Sequence, residues 1–198
     1  MRMPLARAVC VACLVGVVVA LPAAEPGLSR AKSDAFVRKV NQLAEPTGAS
    51  AQRRVALSEA EMNSWFAFDA VRVMPAGVTD PTVSMIGAGR VAGRVVVDLD
   101  RVPRKRNPNL FDPWSLLSGR VPVQVRGTLR TQGGQGTFAL ESAQLAGITV
   151  PKFLLQELLA AYSRSARNPE GLNLDAPFSL PVRIQRIDVE PGQALVVQ

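Results

Sequence analysis

Apolar and polar residues alternate most cleanly over Arg90–Asp100, RVAGRVVVDLD. Val91, Gly93, Val95, Val97 and Leu99 share one face, and Ala92, Arg94, Val96, Asp98 and Asp100 share the other. A period of two, rich in β-branched residues, marks a strand half in a core and half in water. At about 3.3 Å per residue it would span roughly 36 Å, so its apolar face needs an equally long apolar partner.

The same pattern recurs. Val121–Arg130 sets Val121, Val123, Val125 and Leu129 against Gln124, Arg126, Thr128 and Arg130. Thr131–Gly136 (TQGGQG) predicts a hairpin turn. Thr137–Val150 resumes with Phe138 and Leu140, then changes phase to Ala143 and Leu145, as a bulge requires. Upstream, Met74–Pro81 reads as a turn and Thr82–Ala88 as a strand, with Gly87-Ala88-Gly89 forming a tight hairpin and Gly93 a bulge or bend. Arg53–Leu57 is a short strand. Phe178–Val189 and Ala194–Val197 form a last hairpin around Pro191-Gly192.

Three segments carry a helical period. Ser29–Leu43 has a narrow stripe of Ala31, Phe36, Val37, Val40 and Leu43. Ser58 and Glu61 make a capping box, with Leu57 and Met62 as its staple. The helix they start carries Met62, Trp65, Phe66, Phe68, Ala70 and Val71. Pro151 suits a first helical position, ahead of Phe153, Leu154, Leu155, Leu158, Leu159 and Tyr162 on a helix running to about Ser165. The aromatics of the second helix are core packing or, in a sharper reading, part of a cavity wall.

Composition narrows the chemistry. With 198 residues and 47% hydrophobic content, the chain can build one domain with a core. It has no histidine, which excludes His-based acid–base catalysis and His-ligated metals. Both cysteines, Cys10 and Cys13, lie in residues 1–24, read as a secretory signal. Arg2 and Arg7 are its positive region, Val9–Leu21 its apolar run and Leu21-Pro22-Ala23-Ala24 its cleavage region. The run is short for a membrane span of about 20 residues; an uncleaved N-terminal anchor is the alternative. Cys13 lacks the flanking pattern of a lipoprotein. After cleavage, residues 25–198 form one domain without thiols, hence without disulfides or thiolate chemistry. Its 21 basic and 16 acidic residues suit an anionic surface such as phospholipid headgroups. Secretion makes nucleic acid an unsuitable partner, and no cofactor or metal is implied.

Three stretches invite functional readings. The glycines at 87–93 lead into a strand rather than a helix, which argues against a phosphate loop. Asp98 and Asp100, about 6.6 Å apart on one strand face, could do acid–base work; a plainer expectation pairs them with Arg126 and Arg130 across the sheet. Arg101–Gly119 sets Arg104, Lys105 and Arg106 beside Phe111, Trp114, Leu116 and Leu117. Cations next to aromatics suit a membrane interface; the alternative folds the loop back to plug one end of the core.

The order of these elements resembles the bacterial periplasmic TULIP-like (tubular lipid-binding) family, which includes small envelope lipoproteins. The resemblance rests on Leu57–Asn63 (LSEAEMN), Gly89–Asp100, Gly119–Leu129 (GRVPVQVRGTL), Gly147–Lys152 (GITVPK) and Pro177–Ile184 (PFSLPVRI). It spans nearly all of the mature chain, although this chain lacks the acylated cysteine of the lipoprotein members. It implies an α+β fold, a long, curved antiparallel sheet wrapped around one or two helices as a half-barrel, with an apolar groove for acyl chains. The groove would be lined by Val95, Val97, Leu99, Val121, Val123, Val125, Phe138 and Leu140, with Trp65, Phe66, Leu155 and Leu159. The loop Arg104–Leu117 would dock on the membrane. The expected activity is non-catalytic binding or transfer of a lipid in the periplasm or outside the cell. The alternatives are an envelope assembly or scaffold protein with a dry core and a protein partner, and a hydrolase using Asp98 and Asp100.

Overall fold

The computed structural model describes residues 27–45, 52–101, 119–164, 169–181 and 183–198. The predicted leader and the loop 102–118 lie outside the described residues. None of the helices described is long and apolar enough to cross a membrane.

The fold is α+β, and the described residues form three α-helices and two antiparallel sheets. Helix α1 (Arg30–Ala44) starts at Ser29, whose hydroxyl accepts from the Lys32 amide. Strand β1 (Arg54–Ser58) leads into α2 (Glu59–Phe68) through the expected capping box: the Ser58 hydroxyl accepts from the Glu61 amide and the Glu61 carboxylate from the Ser58 amide. The predicted helix is cut short, since Ala70 and Val71 belong to a separate 3-10 turn, Ala70–Arg72.

The larger sheet begins with β2 (Val78–Gly87) and β3 (Arg90–Asp98). Strand β2 starts earlier than its sequence predicts, because Asp80 and Pro81 sit in a bulge rather than a turn. Asp80 adopts φ 53°, which aspartate tolerates, and proline's missing N–H is harmless at a bulge on an edge strand. Ala88 and Gly89 form the two-residue hairpin loop, both with positive φ. Strand β3 ends at Asp98, two residues short of expectation, and Leu99–Arg101 curls into a 3-10 turn. The expected glycine bulge falls at Gly87, where the β2–β3 register shifts after Met85, and not at Gly93, which pairs in register with Val83 and Val125.

Strands β4 (Arg120–Gln132) and β5 (Gln135–Leu145) turn at Gly133-Gly134. The predicted phase change in β5 is a bulge at Glu141, where Arg126 faces Ser142 but Gly127 faces Leu140. Strand β6 (Ile148–Thr149) and β7 (Phe178–Ser179) both pair with β5. The order is β2-β3-β4-β5-β6, and the sheet is open, not a closed barrel. Helix α3 (Lys152–Ser163) follows Pro151, which is its N-cap rather than its first helical residue.

The segment Phe178–Val189 is not one strand. After β7, Pro181 starts a turn closed by the Ile184 amide on the Pro181 carbonyl. The chain then enters β8 (Arg186–Glu190), which pairs with β9 (Gln193–Val197) around Pro191-Gly192. This hairpin leaves the large sheet and adds to β1, in the order β1-β9-β8. Hydrogen bonds from Gly89 to Val189, from Gly192 to Met85 and both ways between Thr131 and Ile187 join the sheets.

Candidate functional site

Alternation gives the larger sheet one apolar face, and the structure covers its two ends differently. At the loop-102–118 end, Val97, Leu99, Val121, Val123, Ala143 and Leu145 pack with Leu155 and Leu158 of α3, all at most 7% exposed. Val95, Val125, Leu140, Val150 and Leu174 pack against this cluster. At the hairpin end, Met85, Val189 and Ala194 form a second cluster with Met62, Val83, Val91, Leu129 and Ile187 around it.

Between the covered ends lies Gly93. By strand parity it belongs to the apolar face, and its partner Val125 is half-buried. A methyl group built at Gly93 would meet, among the described residues, only the Thr82 carbonyl oxygen, at 3.9 Å. No other described residue comes within 4 Å of that position. Val95, Val125, Phe138 and Leu140 near this gap are all half-buried. The Phe138 ring lies across Gly127, where a Cβ would come within 2.4 Å of it, so the second glycine seats the ring on the strand.

The predicted groove residues therefore fall in two places. Val95, Val97, Leu99, Val121, Val123, Val125, Leu140 and Leu155 share one cluster, and Phe138 lies on the same sheet face. Leu159 is half-buried, while Leu158 makes the contact that the spacing assigned to its neighbour. Trp65 and Phe66 join the α1–α2 pair instead: the Phe36 and Trp65 rings lie 5.4 Å apart and those of Trp65 and Phe66 5.5 Å apart. Phe36 packs on a third cluster of Leu43, Val55, Leu57, Ile184 and Val196. Gly93, read from sequence as a distortion, is the position reasoning missed. A glycine at an inward-facing strand position was the available signal.

The acids near the end of β3 hold structure. Asp98 pairs with Arg101 at 3.3 Å and accepts from the Asp100 amide. The Asp100 carboxylate accepts from the Gly119 amide, tying together the strand ends that flank the loop. The expected pairing with Arg126 and Arg130 does not occur: Asp98 faces Arg120, and Arg126 faces Ala92. Strand β3 ends before Asp100, so the two acids do not share a strand face. Arg104, Lys105, Arg106, Phe111, Trp114, Leu116 and Leu117 lie outside the described residues. Among the described residues, no group of three or more His, Cys, Asp or Glu is placed to hold a metal.

Among the described residues, Glu61 has a displaced pKa. Burial alone would raise it, but hydrogen bonds from Lys39 and Ser58 and the Lys39 charge together hold it below the ordinary 4.5. Lys39 Nζ lies 2.7 Å from its carboxylate. This pair joins α1 to α2 and is remote in sequence from the apolar sheet face.

Compared with protein-family models, with curated proteins and with solved structures, the chain matches none.

Proposed function

We propose that this protein binds or transfers a lipid or other acyl ligand, without catalysis, in the periplasm or outside the cell. The acyl chain lies on the apolar face of the larger sheet, in a TULIP-like arrangement, and an anionic membrane is the donor or acceptor surface. The observation that supports this reading is Gly93, a side-chain-free position on an apolar sheet face between two covered ends, where among the described residues only the Thr82 carbonyl oxygen comes within 4 Å of an added Cβ. Half-buried Val95, Val125, Phe138 and Leu140 suit methylene contact. Burial gains about 0.8 kcal/mol per methylene, so binding needs no specific polar group.

Helix α3 supplies the means of enlarging the gap. It rests on the sheet through Leu155 and Leu158. Polar ties hold it to the 172–175 segment: Gln156 to Leu172 and Leu174, and Lys152 to Asp175. Displacing this one helix uncovers the β3–β4–β5 apolar surface without breaking a strand pair.

The second reading is an envelope assembly or scaffold protein that holds no ligand. The close packing of Val97, Leu99, Val121 and Leu145 favours it, because that end of the face is already filled.

Native mass spectrometry of the mature protein from a bacterial periplasm, followed by lipid extraction, separates the two. The lipid reading expects an added mass that resolves into acylated species. It also expects Gly93→Leu to fold normally and lose that mass, since the new side chain fills the gap. An apo mass with no uptake from added vesicles establishes the scaffold reading instead.

A further inference from the structure

The opposite face of the larger sheet carries a different pattern. Arg90 and Arg94 of β3 and Arg126 and Arg130 of β4 are all exposed. Register orders them: Arg94 faces Gln124, Arg126 faces Ala92, Arg90 faces Thr128, and Arg130 lies two residues beyond. They form a staggered row that alternates between the strands, with a step of about two residues, or roughly 6.6 Å. Among the described residues none of the four makes a side-chain hydrogen bond or an ion pair, whereas Arg101, Arg120 and Arg186 elsewhere are paired with Asp98, Asp80 and Asp188.

The cross-strand neighbours of the row are Thr82, Gly87, Gln124, Ala92, Ser142, Thr128 and Thr137, all uncharged. Glu141, the acid beside it, is hydrogen-bonded by Thr128. Sheets commonly set opposite charges across from each other for stability; here, among the described residues, like charges line up and the one acid beside them, Glu141, makes no ion pair with the row. At the Arg130 end, the hairpin forms a depression of about 270 Å³ lined by Arg130, Thr131, Gln132, Gln135, Gly136 and Thr137.

We propose that this arginine row is the surface by which the protein docks on an anionic phospholipid membrane. Guanidinium groups bind phosphate oxygens in bidentate fashion, and a headgroup layer presents such groups repeatedly in a plane. Among the described residues the row has no aromatic side chain for stacking bases, and no helix or ribbon projects from it to enter a groove. It also lacks the central aromatic anchors of a protein interface. The inference rests on the membrane-partner part of the proposed function and is independent of the acyl groove.

The test is sedimentation of the full chain with phosphatidylcholine vesicles, with and without phosphatidylglycerol, at low and high salt. Binding is expected only with phosphatidylglycerol and is lost in high salt. Each basic residue near such a surface is worth about fivefold in partitioning. Changing Arg90, Arg94, Arg126 and Arg130 together to Gln should therefore lower binding more than about a hundredfold. A control with Arg38, Arg54, Arg72 and Arg164 changed to Gln removes the same charge elsewhere and should retain most of the binding. Should the quadruple variant lose its native circular dichroism, Arg94→Glu and Arg126→Glu, made singly, carry the same expectation. Equal binding by row variant and native protein overturns the proposal, as does equal loss in row and control variants. Loss of binding to duplex DNA or to an acidic peptide, with no vesicle binding by the native protein, also overturns it. A protein that carries acyl mass but binds vesicles without the row loses only this inference; one that needs the row but carries no acyl mass loses only the groove.

Discussion

Ser33 and Ser64 are fully buried where α1 meets α2. Ser33 donates to the Asp69 carboxylate, and Ser64 accepts from the Ser29 amide while donating to the Ala60 carbonyl. Small hydroxyls let the helices approach while satisfying polar groups that would otherwise cost stability. Lys39 and Glu61 close the other end of the same contact, and Glu61 also completes the α2 capping box. Because the folded carboxyl titrates below its unfolded value, its contribution is full above about pH 4.5 and is lost as the pH falls through the lower folded value. Glu61→Gln should cost about 1 kcal/mol at neutral pH, the usual scale of a capping interaction. The difference from the native protein should shrink toward zero in acid, as read by urea denaturation at both pH values. A constant difference would mean that the carboxylate charge has no part in it. The capping box was legible in sequence because its two residues are three apart; the Lys39 partnership was not, because 22 residues separate the pair.

At the scale of elements, the edge of the larger sheet explains where α2 sits. Strand β2 is an edge strand, and its free backbone groups would invite pairing with another chain. The Asn63 side chain covers the Val83 amide and carbonyl, both at 2.8 Å, and Glu59 accepts from the Met85 amide at 2.7 Å. The helix side chains thus take the place of a neighbouring strand. Asn63→Ala should destabilise the protein by about 1–3 kcal/mol and increase its tendency to aggregate, as followed by thermal unfolding and light scattering. Unchanged stability and solubility would show that the edge needs no cover. In the sequence Asn63 is a polar residue of an aromatic helix, and only the docking of α2 against β2 gives it this role. Strand alternation was readable in advance, and so was the β5 bulge, because Phe138–Leu140 and Ala143–Leu145 fall out of phase.

For the whole molecule, the apolar face of the sheet and the basic face opposite divide the proposed work between cargo and membrane. The segment between β3 and β4 carries Trp114, Leu116 and Leu117, which in the lipid-carrier reading dock on the membrane and in its alternative plug one end of the core. Changing those three residues together to Ser should weaken vesicle binding in a way that high salt does not reproduce, since the lost contribution is apolar. Circular dichroism and the melting temperature should stay unchanged. Native-level vesicle binding by this variant would remove the docking role from the loop. The α+β class and the open antiparallel sheet agree with expectation, but the C-terminal hairpin pairs with β1 in a second sheet.

Local chemistry was decided by the amino-acid order alone: strand faces by a period of two, helix starts by Ser29 and Ser58, and hairpins by Ala88-Gly89, Gly133-Gly134 and Pro191-Gly192. Each depends on residues within a few positions of one another, where steric and hydrogen-bonding preferences act directly. Tertiary structure decided the rest. It chose the sheet that receives Arg186–Val197, set Asn63 on the β2 edge, aligned four arginines from two strands into one row and placed Gly93 on the apolar face between two packed clusters. Those outcomes depend on the register and packing of segments far apart in the chain, where many pairings satisfy the same local pattern and burial of the whole core selects among them.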